Sequence, residues 1–131
     1  MTLLLLAGSG EARQIAAALA QAGIDAVASL AGATQRAKPL PLPMRVGGFG
    51  GRGGFIAYVK EAGITAVLDA THPFADQITA RTADICAELG LPYLYHLRAP
   101  WVAGTGDNWR EIAREEDAAA LIPQGKTVFL G

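Results

Sequence analysis

Thr2-Leu3-Leu4-Leu5-Leu6-Ala7-Gly8-Ser9-Gly10-Glu11-Ala12-Arg13 opens the chain with an uncharged run that stops at two glycines flanking a serine. The run Thr2 to Leu6 has the length of a strand, and because it is apolar at every position it suits a strand buried on both faces. Beyond the turn, Ala12, Ile15, Ala16 and Leu19 recur at helical spacing, with Glu11, Arg13 and Gln14 off that stripe and Gly23 where a helix should stop. Buried strand, glycine turn and helix in that order make one unit of a parallel sheet covered by helices.

The unit then repeats. Ile24 to Leu30 reads as a second strand, and residues 31–43, rich in proline and without an apolar period, read as a surface loop. Met44 to Val46 is a short strand running into the glycine-rich stretch 47–54, after which Phe55, Val59 and Ala62 recur at helical spacing up to Gly63. Thr65 to Leu68 is a further strand. Pro73 suits the first turn of the next helix, whose predicted buried stripe is Phe74, Ile78, Ile85 and Leu89. Gly90 and Pro92 end that helix, and Tyr93 to Leu97 forms a strand in which His96 is expected to be packed. A strand at Trp109 to Ala113, a helix at Glu115 to Leu121 and a last strand at Thr127 to Leu130 complete the reading. The expected fold is α/β: a Rossmann-like, doubly wound, mainly parallel sheet with helices on both faces. Residues 1–125 are expected to form this nucleotide-binding domain. Residues 126–131 read as the first strand of a second, similar domain, so the chain is expected to be the first half of a longer protein.

Composition narrows the function classes. Of 131 residues 51% are hydrophobic, which is a chain that buries a core and excludes disorder and coiled coil. Eleven Lys and Arg against twelve Asp and Glu give a net charge of −1, so no broad field is available to hold nucleic acid or an anionic membrane. Leu3 to Leu6 is too short for a signal peptide and follows no positive charge, and no stretch approaches the ~20 apolar residues of a membrane span. The single cysteine, Cys86, makes no internal disulfide and no metal framework, and reads as a small buried hydrophobe. A cytoplasmic protein without a metal site is expected.

In such a sheet ligands bind outside the carboxyl ends of the strands, where the glycine loops lie. Gly8, Ser9 and Gly10 match the first two glycines of a dinucleotide fingerprint and can receive a pyrophosphate on backbone amides, or form a tight turn with no ligand; the third glycine position is Arg13. After strand two, where an NAD-specific fold places an acid, the chain has Ser29-Leu30-Ala31-Gly32 followed by Thr34, Arg36 and Lys38. A hydroxyl, open amides and cations favour the 2′-phosphate of NADPH over NADH, the alternative being that Arg36 and Lys38 are simply solvated loop residues. Gly47, Gly48, Gly50 and Gly51 surround Phe49 more densely than a turn requires, and Phe49 either faces a flat ligand or tucks into the core. Asp69-Ala70-Thr71-His72-Pro73 brings polar groups to the same cleft, with His72 either a proton donor or, like Thr71, a helix cap.

These pieces, in this order and spacing, resemble the precorrin-6A reductase family of cobalamin biosynthesis: Leu5 to Ala12, Ser29 to Gly32, Val46 to Gly51, Asp69 to Ala75 and Arg98-Ala99-Pro100-Trp101. The resemblance implies two Rossmann-like domains with a corrin precursor between them, and a hydride delivered from a reduced nicotinamide to a ring double bond. It implies that Gly8, Ser9 and Gly10 line the cofactor phosphates and Ser29, Ala31 and Gly32 the adenosine ribose end, with Glu11 and Arg36 also among the cofactor-binding residues. Gly48, Phe49 and Gly50, with Thr71, His72 and Pro73, would flank nicotinamide and macrocycle, Arg98 and Trp101 would meet the tetrapyrrole's carboxylates and flat face, and His72 is the first candidate acid. Ala33 stands where some relatives carry arginine. A monomer or weak oligomer is expected, and the isolated half need not be active. A nucleotide-sensing domain without catalysis is the alternative; it explains the Gly8 to Gly10 turn but not the second glycine loop. A short-chain dehydrogenase is disfavoured, since neither Tyr58, Tyr93 nor Tyr95 has a lysine four residues on.

Overall fold

The computed structural model of the chain describes residues 1–131 except 33–37, 73–74, 98, 100–101 and 129–131, and Glu115 by its backbone alone. The chain divides into two compact units, Met1–Arg98 and Ala99–Gly131.

In the first unit, β1 (Thr2–Ala7), β2 (Ala26–Leu30), β3 (Met44–Val46), β4 (Ile64–Ala70) and β5 (Tyr93–Tyr95) form one sheet in the order β3-β2-β1-β4-β5. All four pairings are parallel. The helices are α1 (Glu11–Gln21), α2 (Gly51–Glu61) and α3 (Asp76–Leu89). The expected doubly wound architecture with helices on both faces is what the chain adopts.

Why the run of leucines is a central strand is visible in its alternation. Leu4 and Leu6 point to one face and join Phe55 and Val59 of α2 and Ile85 and Cys86 of α3. Leu5 and Ala7 point to the other and join Ala12, Ala16 and Leu19 of α1. Leu4 and Leu5 are both fully buried, and each such side chain contributes about 1.5–3 kcal/mol. The α1 face is built largely of alanines, Ala12, Ala16, Ala26, Ala28 and Ala70 among them, small enough for the helix to lie close on the sheet. Close packing therefore rests on Ala12 and Ala16. Arg13, at the third fingerprint position, is exposed and donates from Nη1 to the Pro39 carbonyl at 3.1 Å.

The second glycine stretch is partly explained by backbone geometry. Gly47, Gly50 and Gly51 have φ of 113°, 80° and 79°, where side chains are strained, so the turn itself requires these three. The helix starts at Gly51, earlier than the Phe55 periodicity suggests. Inside it, a Cβ on Gly54 would overlap the Phe49 carbonyl, a backbone atom that cannot swing aside. Gly54→Ala is therefore expected to cost about 2 kcal/mol or more and to lower the midpoint of a thermal melt followed by circular dichroism. An unchanged midpoint would show that Phe49 does not fold back on α2.

Elsewhere the structure corrects the sequence expectations. Ile78 is 42% exposed, and the buried residues of α3 are Thr82, Ile85 and Cys86, so the stripe begins one turn later. The last strand of the sheet ends at Tyr95; His96 lies beyond it and is exposed, although its N–H donates to the Asp69 carbonyl at 2.8 Å. Leu94 is 66% exposed; among the described residues its strand, last in the order, pairs with β4 alone.

In the unit Ala99–Gly131, Glu115–Leu121 is a 3₁₀ helix, and the strand expected at Trp109 to Ala113 does not form. Thr127 and Val128 carry no strand either, and the rest of that predicted element lies outside the described residues. A strand needs a neighbour to satisfy its N–H and C=O groups, and among the described residues of this unit none pairs. No helix among the described residues is long and apolar enough to cross a membrane.

Candidate nucleotide-binding cleft

The order β3-β2-β1-β4-β5 reverses direction between β1 and β4, and the crevice at such a switch point is where open α/β sheets bind ligands. Gly8, Ser9 and Gly10 leave β1 there and enter α1. The Ser9 amide and hydroxyl both donate to the Ala70 carbonyl, at 3.2 and 2.8 Å, so the turn is tied to the end of β4. A Cβ on Gly8 would sit 3.4 Å from the Thr71 backbone. Gly10 differs: its φ of −62° and ψ of −31° are open to any residue, and a Cβ there would meet nothing within 4 Å. Neither backbone strain nor packing asks for glycine at this position. What its missing side chain provides is open space at the N-terminus of α1, where the helix dipole favours an anion.

That space belongs to a cavity of ≈ 330 Å³ lined by Gly8, Ser9, Gly10, Ala31, Gly32 and Lys38, among others. Arg13 also reaches it. A second cavity of ≈ 100 Å³ lies along the same strand ends, with Ser29, Gly48, Phe49, Thr71 and Arg81 on its walls. Ala7 and Ala31 line both. The structure thus gathers Gly8, Ser9, Gly10, Ala31 and Gly32 into one cavity and Ser29, Ala31, Gly48, Phe49 and Thr71 into the other. Glu11 is the first residue of α1 and half-buried; Gly50 caps α2; His72 is exposed, and its carbonyl accepts from the Ala75 amide at 2.9 Å. These three line neither cavity. Arg36, Pro73, Arg98 and Trp101 lie outside the described residues.

Two residues that carry this cleft have no assigned role in the sequence reading. Asp69, at the end of β4, is fully buried. Its Oδ1 accepts from the Thr71 amide and hydroxyl at 3.0 and 2.7 Å, and its Oδ2 from the Tyr93 hydroxyl at 2.7 Å. Burial first, and then the hydrogen bond to the Asp69 carboxylate, push the Tyr93 phenol well above its ordinary range. Burial likewise raises the Cys86 thiol, with Asp69 adding to it, so Cys86 is an inert core residue. Arg45, on β3, donates from Nη1 to Ser29 Oγ at 2.7 Å and to the Gly47 carbonyl at 3.0 Å, and from Nη2 to the Gly48 carbonyl at 3.1 Å. Its guanidinium lies 4.0 Å from the centre of the Phe49 ring. Phe49 also packs edge-on against Phe55, the ring centres 4.9 Å apart, so this ring is anchored in the core while it lines the second cavity.

Sheet, glycine turn and cavity together define a doubly wound α/β domain of Rossmann-like topology. Residues 2–131 match the family model described as precorrin-6x reductase CbiJ/CobK, and the chain belongs to that family. It is 43% identical over 129 residues to the precorrin-6A reductase of Rhodobacter capsulatus, covering 98% of this chain and 51% of that protein. To the precorrin-6A reductase of Rhodococcus erythropolis it is 44% identical over 131 residues, covering 98% of this chain and 52% of that one. A solved structure described as CobK precorrin-6A reductase superposes with a TM-score of 0.89 at 42% identity, over 95% of this chain and 50% of that chain. The chain spans about half the length of the curated relatives it matches.

Proposed function

We propose that this chain is the cofactor-binding part of an enzyme that uses NADPH to reduce a ring double bond of precorrin-6A, giving precorrin-6B in cobalamin biosynthesis. The observation that carries the reading is the cavity at the N-terminus of α1, kept open by a glycine that the fold itself does not need. Gly8, Ser9 and Gly10 hold the pyrophosphate there, and Ser29, Ala31 and Gly32 take the adenosine end. Lys38 on the cavity wall, with Arg36, supplies positive charge for the 2′-phosphate, which favours NADPH over NADH. A reduced nicotinamide, when bound, supplies the hydride. The chain's own part is positioning: the loop after β4, fixed through Asp69 and Thr71, forms one wall of the reaction cleft with Gly48 and Phe49. His72, exposed on that loop, is the candidate proton donor, and Arg98 and Trp101 serve the macrocycle's carboxylates and flat face. A single cysteine, which makes no internal disulfide, suits the reducing cytoplasm, where we place the enzyme.

The test is anaerobic oxidation of nicotinamide by the full-length enzyme with metal-free precorrin-6A, followed in absorbance and repeated with NADH and with the cobalt form. Turnover with NADPH, at least about tenfold more efficient than with NADH, is expected; a tenfold preference corresponds to about 1.4 kcal/mol. Oxidation that is indifferent to the precursor would overturn the assignment. In the same assay His72→Ala is expected to leave nucleotide affinity intact, and unchanged turnover in that variant would remove His72 as the acid.

A further inference from the structure

We infer that Arg45 is a positioning residue that turns the amide N–H groups of Gly48 and Phe49 toward the cleft as a receiver for an anionic oxygen. The inference rests on the proposed reading of the cleft as the site of a phosphorylated cofactor and a polycarboxylate substrate.

The peptide bonds supply the logic. The chain has no cis peptide among its described residues, and in a trans peptide the C=O of one residue and the N–H of the next point in opposite directions. Arg45 holds the carbonyls of Gly47 and Gly48 on its own side, at 3.0 and 3.1 Å. The N–H groups of Gly48 and Phe49 must then face away from it. No backbone hydrogen bond among the described residues uses either one, whereas the preceding Gly47 amide donates to the Leu30 carbonyl at 2.8 Å. Gly48 needs no glycine for conformation, since its φ is not positive, and a Cβ there would meet nothing within 4 Å. Two successive outward amides beside open space make an anion-binding concavity. It lies on the wall of the cavity that also holds Arg81.

Arg45 is suited to this by shape as well as charge. A planar fork can meet the Ser29 hydroxyl and two carbonyls at once while its face stacks on Phe49, 4.0 Å away, and lies 4.9 Å from the Tyr58 ring centre. A lysine is a point charge without the fork or the face. The guanidinium also occupies a lone pair of Ser29 Oγ, so that hydroxyl is left to donate, adding a third donor on the same wall.

The anion is either the 2′-phosphate of the cofactor or a carboxylate of the substrate, and the two separate by experiment. Arg45→Met and Arg45→Lys are made in the full-length enzyme, and loop order is read as the rate of chymotrypsin cleavage after Phe49. Faster cleavage by about tenfold in both variants, with the thermal midpoint nearly held, supports the clamp, and this arm needs no ligand. Affinity is then read for NADPH, NADH and the precursor. A loss of about tenfold for NADPH but not NADH assigns the phosphate, and a raised KM for the precursor with kcat and both nucleotides unchanged assigns the carboxylate. Tenfold is the apparent loss when the competent loop is populated a tenth of the time. Unchanged cleavage, or faster cleavage with all three affinities intact, overturns the inference. Failure of the parent enzyme to bind any nucleotide would instead sink the proposed function, with the cleavage arm still judging Arg45.

Discussion

Gly10→Glu is expected to weaken NADPH binding by about 100-fold while leaving the protein folded to the same temperature. The carboxylate would project from the N-terminus of α1 into the cavity shared by Gly8, Ser9, Ala31 and Gly32. Two charges about 4 Å apart near a protein surface interact with about 4 kcal/mol, part of which salt and side-chain movement remove. The remaining 2–3 kcal/mol is about a hundredfold in affinity. Stability should hardly respond. The backbone at Gly10 is already in the helical region, a Cβ there has open space, and a negative charge at a helix N-terminus is favourable by about 0.3–1 kcal/mol. Calorimetric titration with NADPH together with a thermal melt checks both halves. Gly10→Ala, which adds bulk but no charge, should lie between variant and parent; Gly10→Glu binding as tightly as the parent would mean that the cofactor lies elsewhere.

The same glycine shows how far the sequence could be read. The Gly8-Ser9-Gly10 turn was legible because a buried strand running into glycines and then a helix is a local pattern, and local patterns survive in one dimension. Arg45 was not legible, because its partners are carbonyls two and three residues on and a hydroxyl sixteen residues back, brought together by the pairing of β2 and β3. Nothing in Met44-Arg45-Val46 marks that arginine, except that a cation in a three-residue strand demands some partner. Ile78 departs from its expected burial for a related reason. Helical spacing places it on the stripe, but α3 starts only at Asp76, and its first turn stands at the rim of the second cavity with Ile78 on the wall. At β5 the sequence predicts a strand through Leu97 with His96 packed, whereas Leu94 is exposed and His96 lies beyond the strand and is exposed too. Interior strands announce their burial in composition; an edge strand depends on what neighbours it.

Removing the Asp69 carboxylate is expected to have the largest effect on stability of any single change in the cleft. Asp69→Ala would strip the acceptor from three donors, the Thr71 amide and hydroxyl and the Tyr93 hydroxyl, at a site where Asp69 itself is fully buried. Each buried donor left without a partner costs about 1–3 kcal/mol, so a loss of about 3 kcal/mol or more is expected in denaturant unfolding. Asp69→Asn separates shape from charge. Its carbonyl can still accept from Thr71 and its amide can donate to a rotated Tyr93 hydroxyl, so this variant should fold and lose far less. The charge then reads out at Tyr93. Burial is the larger cause of the raised phenol and survives the substitution, whereas the carboxylate's contribution does not. In a titration followed by phenolate absorbance, Tyr93 of Asp69→Asn should ionise earlier than in the parent but still above the ordinary 10.0. In the parent the folded protein keeps the phenol proton above pH 10 while the unfolded chain releases it, so stability is fully present below that pH and falls as the pH rises through the folded value. Asp69→Asn should keep the same onset of alkaline destabilisation but lose less stability in total, because the folded phenol ionises closer to the unfolded one. Identical titration of Tyr93 in both proteins would show that the carboxylate does not hold the phenol.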